Sequence, residues 1–235
     1  MNNKILNVGI PSKGRLKKDV LNIFSKRKYS IKSERGERDL FGKISNLPNV
    51  SITFLHAREI VERLGDGSLD LGFSGYDLLM ESEENVQKNI KVFKNYNFGK
   101  AKLVIAVPNE WIDVQTVADL EEIAFEFKEK KNQRLRVATK YENLTRIALF
   151  SKGVTQFKIV KSLGATETYP FTGSSEIITD ITSTGETLRA NNLRALKDGQ
   201  ILRSQACLMV SKHNSNKKGI KNLLKLLSRN KNDLE

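Results

Sequence analysis

Residues 177–193 read I-I-T-D-I-T-S-T-G-E-T-L-R-A-N-N-L. Ile177, Ile178 and Ile181 form a short apolar run that reads as a buried strand, with Asp180 near its exit. Thr182, Ser183, Thr184 and Gly185 follow as a loop of hydroxyls and one glycine. Beyond it Leu188, Asn192 and Leu196 fall at helical spacing with Leu193 beside them, which predicts a helix over 186–196. A strand, a small polar loop and a helix start make an anion site. The first N–H groups of a helix lack internal partners, and the helix dipole favours negative charge there. Small residues let that backbone approach a phosphate, and hydroxyls add donors. The same pattern also serves as a plain N-cap with a turn. Asp180 favours the phosphate reading, because a carboxylate at that exit suits ribose hydroxyls or the water shell of a phosphate-bound Mg²⁺.

The same alternation of strand and helix runs through the rest of the chain. On the N-terminal side, strands are predicted over 5–10, 50–54 and 69–73, and helices follow at 16–24, 57–64 and 76–80. The turn between the first strand and helix is Pro11-Ser12-Lys13-Gly14-Arg15, a second candidate for anion contact or else two solvated first-turn charges. Residues 29–48 read as irregular or weakly stranded, with Arg35 and Arg38, and 81–97 as charged and exposed. A second series follows: strand 103–107, loop 109–116, helix 117–130, strand 135–138, a helix over 144–151 capped by Asn143, strand 157–160 and loop 164–170. Strand 206–210 and a basic amphipathic helix over 217–229 close it. Such alternation predicts an α/β fold with a largely parallel sheet. Two series without a flexible linker predict two lobes, 1–102 with 206–235 and 103–205, with ligands at the carboxyl ends of strands. The Lys13–Arg15 turn and the 182–187 loop would then face each other across a cleft.

Composition narrows the classes. Of 235 residues 39% are hydrophobic, enough for a sizeable core, and no stretch approaches the ~20 apolar residues of a membrane span. The N-terminus lacks the apolar run of a signal peptide, and Cys207 is the only cysteine, so a cytoplasmic setting is expected. With His56 and His213 the only histidines, a structural zinc site is not expected. The net charge of +13 is uneven: residues 1–50 carry 12 Lys/Arg against 4 Asp/Glu, and residues 194–235 carry 10 against 3. Nucleic acid is one partner for such a chain. Aromatic content of 7% and the absence of a recognisable nucleic-acid motif speak against it. An anionic small substrate or an acidic partner subunit accounts for the charge equally well.

Six blocks, in order, carry a family resemblance: Pro11-Ser12-Lys13-Gly14-Arg15-Leu16; Asp66-Gly67 with Asp70-Leu71-Gly72; Phe98-Gly99 with Ala106-Val107-Pro108; Ala138-Thr139 with Leu144; Gly164-Ala165-Thr166-Glu167 with Pro170 and Gly173; and Asp180 through Leu193. The chain resembles the short-form catalytic subunits of the ATP phosphoribosyltransferase family of histidine biosynthesis. The resemblance implies two lobes like type II periplasmic binding proteins, with the active site in the cleft between them. It implies a reaction joining N1 of ATP to C1 of 5-phosphoribosyl 1-diphosphate with release of diphosphate. Mg²⁺ would ride on the diphosphate, with no protein side chain assigned to it. A regulatory subunit resembling histidyl-tRNA synthetase would complete a hetero-oligomer and sense histidine.

The resemblance and the chemistry together assign roles. Lys13, Arg15, Glu167 and Asp180 are the candidate catalytic residues, the carboxylates holding ribose hydroxyls and the cations facing phosphates. Asp180, Ser183, Thr184, Gly185, Glu186 and Thr187 are assigned to phosphoribosyl diphosphate, and Lys13, Gly14, Arg15, Arg58 and Asp70 to ATP. Some positions depart from the family pattern: His56 replaces an arginine, Glu59 an aspartate, Glu186 a small or hydroxyl residue within the loop, and Ser174-Ser175-Glu176 the more usual Leu-Ala-Asp. Two rival readings remain at this level, a binding module of the same fold without catalysis and a basic nucleic-acid-binding protein.

Overall fold

A computed structural model describes residues 5–32 and 40–228. Arg35, Arg38 and Arg229 lie outside the described residues. The chain divides into two compact units, Met1–Gly99 with Gln205–Glu235, and Lys100–Ser204. The first opens with β1 (Leu6–Pro11), α1 (Gly14–Ser25), β2 (Ile31–Lys32), β3 (Phe41–Ile44) and β4 (Leu47–Leu55). It continues with α2 (Ala57–Gly65), β5 (Leu71–Gly75), α3 (Tyr76–Glu81), α4 (Glu84–Lys88) and β6 (Ile90–Asn95). The second holds β7 (Ala101–Pro108), α5 (Val117–Lys131), β8 (Leu135–Thr139), α6 (Glu142–Ser151) and β9 (Phe157–Lys161). A 3-10 helix (Thr166–Thr172), β10 (Ile177–Thr182), α7 (Glu186–Ala190) and β11 (Leu193–Ser204) complete it. The chain then returns to the first unit with β12 (Ala206–Ser211) and α8 (Ile220–Ser228).

The first unit is built on a seven-stranded sheet, β2-β3-β4-β1-β5-β12-β6. β1 is central and parallel to both β4 and β5. Its near-continuous apolar run is what a strand covered on both faces requires. One face packs Val20, Ile23 and Phe24 of α1 and Leu223, Leu224 and Leu227 of α8, and the other packs Ile60, Val61 and Leu64 of α2. The second unit has a five-stranded sheet, β11-β7-β10-β8-β9, with β10, β8 and β9 parallel. Both sheets are mixed, not largely parallel. β12 runs antiparallel to β5 and β6, and β7 antiparallel to β10 and β11.

α8 is tied down at its end. Arg27, just beyond α1, donates from Nε to the Leu226 carbonyl at 2.7 Å, and Tyr96 Oη donates to the Leu227 carbonyl at 3.1 Å. These donors satisfy carbonyls that the last turn of a helix leaves without intrahelical partners. Burial pushes the Tyr96 hydroxyl up to about 12, against the opposing charge of Arg27.

Several local expectations change. The helix predicted over 186–196 stops at Ala190, because Asn192 takes a left-handed φ of 51° and the chain turns into β11. Leu193 then pairs with Pro108, not with a helical neighbour. Residues 81–97 are not simply an exposed stretch, since they hold α4 and β6, whose Ile90 and Val92 pack on the first sheet. α6 begins at Glu142 with Tyr141 as its N-cap, one turn position ahead of the expected Asn143. Within 29–48, β2 and β3 extend the sheet edge as short antiparallel strands.

Candidate functional site

In the first unit the functional side chains gather where three parallel strands end. β1, β4 and β5 point the same way, with Pro11 beside Leu55, and the Ser12 N–H donates to the Leu55 carbonyl at 2.8 Å. Each strand passes directly into a helix: β1 into α1, β4 into α2 and β5 into α3. The Ser74 hydroxyl, at the end of β5, donates to the Ala57 carbonyl at 2.8 Å and locks the second and third of these turns together. Lys13 is the N-cap of α1, and Gly14 has φ +80°, a conformation that costs glycine nothing. Lys13, Gly14 and Arg15 are exposed, and among the described residues Lys13 and Arg15 have no side-chain partner. Two cations beside the start of a 12-residue helix make a turn at which negative charge is favoured.

Arg58 lies on the first turn of α2 at the same sheet end and is exposed. The departures around it are explained locally. His56 is the N-cap of α2, its Nδ1 accepting the Arg58 N–H at 3.4 Å, so the imidazole caps a helix and makes no fork onto phosphate. Glu59 is engaged along the helix by Arg63 at 2.8 Å.

Asp70 does not belong with these residues. It precedes β5, at the opposite end of the sheet from Gly75. Its side chain is 1% exposed, and Oδ2 accepts from the Asn7 N–H and from Lys217 Nζ, each at 2.7 Å. Asn7 and Pro11 are four residues apart on β1, about 13 Å at strand rise. The expected ATP contact is therefore corrected: Asp70 clamps β1 to the segment leading into α8.

In the second unit β10, β8 and β9 end together. The loop after β10 is folded on itself: the Gly185 N–H donates to Thr182 Oγ1 at 2.9 Å and the Glu186 N–H to Thr184 Oγ1 at 3.3 Å. Arg189 Nη1 donates to the Thr184 carbonyl at 3.1 Å. Gly185 takes φ +77°, and a Cβ there would stand 3.0 Å from Arg189 Nη1. α7 has only five residues, so any anion held here would depend on the loop's own exposed hydroxyls and remaining N–H groups more than on a helix dipole. Ser183, Thr184, Glu186 and Thr187 are exposed and Gly185 is half-buried.

Asp180 lies within β10, half-buried, and its Oδ1 accepts the Ile181 N–H at 2.8 Å. Burial raises its carboxyl above the ordinary range; that hydrogen bond and Lys140 oppose the rise, and Glu167 adds to it. Glu167 sits on the 3-10 helix packed against β10, near enough for its charge to act on Asp180. Lys140, directly after β8, was not among the residues expected from sequence. A cation immediately past a buried strand is the signal that marks it.

The architecture defines the class first: two α/β units of the periplasmic-binding-protein type, one with basic turns and one with a hydroxyl-rich anion loop at the ends of parallel strands. The arginine-bound form of ArgBP from Thermotoga maritima shares this fold, with a TM-score of 0.54 over 98% of this chain and 96% of that chain, at 13% identity. The family model described as "HisG: ATP phosphoribosyltransferase" matches residues 56–229. The chain belongs to that family. It is 47% identical over 205 residues to an ATP phosphoribosyltransferase of Nitrobacter winogradskyi, covering 87% of this chain and 63% of that protein. It is 44% identical over 209 residues to that of Mesorhizobium japonicum, covering 88% of this chain and 90% of the relative. A structure described as the ATP phosphoribosyl transferase (HisG:HisZ) complex from T. maritima shares the fold with a TM-score of 0.74, 24% identity, and coverage of 95% and 96%. The chain thus spans less than two thirds of the length of the Nitrobacter relative. No helix among the described residues is long and apolar enough to cross a membrane.

Proposed function

We propose that this protein is an ATP phosphoribosyltransferase, joining N1 of ATP to C1 of 5-phosphoribosyl 1-diphosphate with release of diphosphate, the first step of histidine biosynthesis. The observation that carries this reading is the Asp180–Thr187 segment, a carboxylate and a hydroxyl-rich loop at one strand end, inside the region the family model matches. The 5-phosphate would take donors of Ser183, Thr184 and Thr187, with Gly185 shaping the turn between them while its own N–H is held by Thr182. Asp180 and Glu167 would accept from the ribose hydroxyls. Lys13, Gly14, Arg15 and Arg58 would take the phosphates of ATP. Glu186 is exposed and leaves the donors around it to the phosphate.

The chemistry asks little acid–base work of the protein. The adenine N1 lone pair is available at neutral pH, so catalysis is positioning plus stabilisation of charge. As the C1–diphosphate bond breaks, positive charge develops on the ribose and negative charge on the leaving oxygens. Carboxylates beside the ribose suit the positive charge that develops there. A divalent metal, Mg²⁺, would arrive on the diphosphate oxygens and neutralise the leaving group. The residues fit such an ion: the loop offers donors to phosphate oxygens, and the neighbouring carboxylate pair tolerates added positive charge. No protein group is assigned as its ligand.

We further propose a cytoplasmic hetero-oligomer with a second, regulatory subunit, in keeping with the similar T. maritima structure, which is described as a complex of HisG with HisZ. The test of the reading is turnover, with and without the regulatory subunit: ATP and phosphoribosyl diphosphate mixed with Mg²⁺, the protein and that subunit should give a salt-resistant gain in absorbance. Steeply salt-dependent oligonucleotide binding without turnover would favour nucleic acid instead.

A further inference from the structure

The charged groups at the carboxyl end of the second unit's sheet are not equivalent. Lys161 Nζ faces Glu142 at 3.6 Å, and Arg189 is turned onto the Thr184 carbonyl. Lys140 is distinguished by register. β8 and β10 run parallel and β8 ends with Thr139 beside Thr179, so Lys140 follows at the exit of β8 while the neighbouring strand continues through Asp180 to Thr182. Neighbouring strands lie about 4.8 Å apart, which puts that exit next to the Asp180 position. Glu167 enters from the 3-10 helix packed on β10 and β8. Across β10, Val104 stands opposite Asp180 and brings no charge, while Lys102 pairs with Thr182 two residues on. Beyond the loop, α7 contributes Glu186 and Arg189.

The charge of Glu167 disfavours the ionised form of half-buried Asp180. A protonated carboxyl loses acceptor capacity toward hydroxyls and leaves less negative charge beside a developing cation. The cation next to the pair therefore decides whether both carboxylates can serve the ribose. Burial and Glu167 both push Asp180 toward its neutral form, and Lys140 opposes them.

We propose that Lys140 is a positioning residue for the phosphoribosyl donor: its ammonium balances the Asp180–Glu167 pair so that both carboxylates accept from the ribose hydroxyls. This rests on the function proposed above, and the test separates the two. Carboxyl ¹³C NMR titration of the full chain, with Asp180→Asn assigning the signal, follows Asp180 directly and needs no turnover. In Lys140→Met the Asp180 midpoint should rise further, and Lys140→Arg should return it. In the same variants the KM for phosphoribosyl diphosphate should rise by about tenfold or more with methionine, as expected for losing hydrogen bonds to a charged group, and recover with arginine. ATP affinity and the thermal midpoint should stay at wild-type values, since Lys140 is exposed. An unmoved Asp180 midpoint in Lys140→Met overturns the proposal whether or not the wild type turns over. A shifted midpoint with unchanged KM in an active enzyme overturns the positioning role. Absence of turnover in the wild type would instead sink the proposed function and leave the titration to decide on Lys140.

Discussion

Replacing Asp70 by asparagine separates a structural clamp from a ligand contact. The carboxylate receives two hydrogen bonds at 2.7 Å, from the Asn7 N–H and from Lys217 Nζ, at 1% exposure. Both donors converge on Oδ2, so asparagine can keep an oxygen for each, but it removes the charge that pairs with Lys217. Breaking a buried ion pair by removing one partner costs roughly 3–5 kcal/mol. The Lys217 side chain is 18% exposed and so recovers some hydration, which lowers the expected cost of Asp70→Asn to about 2–3 kcal/mol. For a protein of this size the thermal midpoint should fall by roughly 4–12 °C. Lys217→Met should recover part of the loss when combined with Asp70→Asn, because the uncompensated ammonium is then gone. Differential scanning calorimetry gives the midpoints, and calorimetric titration with ATP at low temperature gives the affinity, which should remain at the wild-type value. A wild-type midpoint together with lost ATP binding would refute the clamp and return Asp70 to the nucleotide site.

Three further outcomes are expected. Thr187→Val keeps shape and removes a donor, so phosphoribosyl diphosphate affinity should weaken by about 1–3 kcal/mol, while ATP affinity holds; equal losses in equilibrium titrations would indicate a folding defect. Arg15→Ala should cut turnover by about tenfold or more with a stability change of about 0.5 kcal/mol or less, because Arg15 is exposed on a turn; wild-type turnover would restore the solvated-charge reading. The protein alone should be inactive or weakly active and insensitive to histidine, and the regulatory subunit should bring activity and inhibition together, as an effector bound on a partner acts only through intersubunit coupling. Histidine inhibition of the isolated protein in a turnover assay would contradict this.

Legibility in the sequence followed the strength of the local pattern. The strand and loop at 177–185 could be read because an apolar run meets four small polar residues, and β10 with its folded loop stands there. The helix after it was overextended, since Leu193 and Leu196 are apolar at helical spacing and yet belong to β11. Only the left-handed Asn192, a conformation that asparagine tolerates, ends the helix. The edge strand β6 was hidden by its lysines and asparagines, because an edge exposes one face and needs few apolar residues. Mixed sheet direction escaped as well: nothing local in the β12 sequence tells that it pairs antiparallel to β5. At the candidate site, Lys13 and Arg15 stood out in the sequence because their turn interrupts a strong strand–helix pattern, and that turn is where β1 passes into α1. Asp70 misled because an acidic residue before a buried strand looks alike whether it meets a ligand or Lys217. Lys140 was missed because its relation to Asp180 exists only through the register of β8 and β10.

The most direct test of phosphoribosyl transfer is a product assay. Purified protein, with its regulatory subunit present, is incubated with ATP, phosphoribosyl diphosphate and Mg²⁺. Released diphosphate and ribosylated ATP are then quantified together, and mass spectrometry and NMR locate the new bond. Both products should form in equal amounts, with the ribose C1 on adenine N1, and neither should form when one substrate or the metal is withheld. Binding of both substrates with no N1-ribosylated ATP would contradict it and leave a nucleotide-binding protein of the same fold.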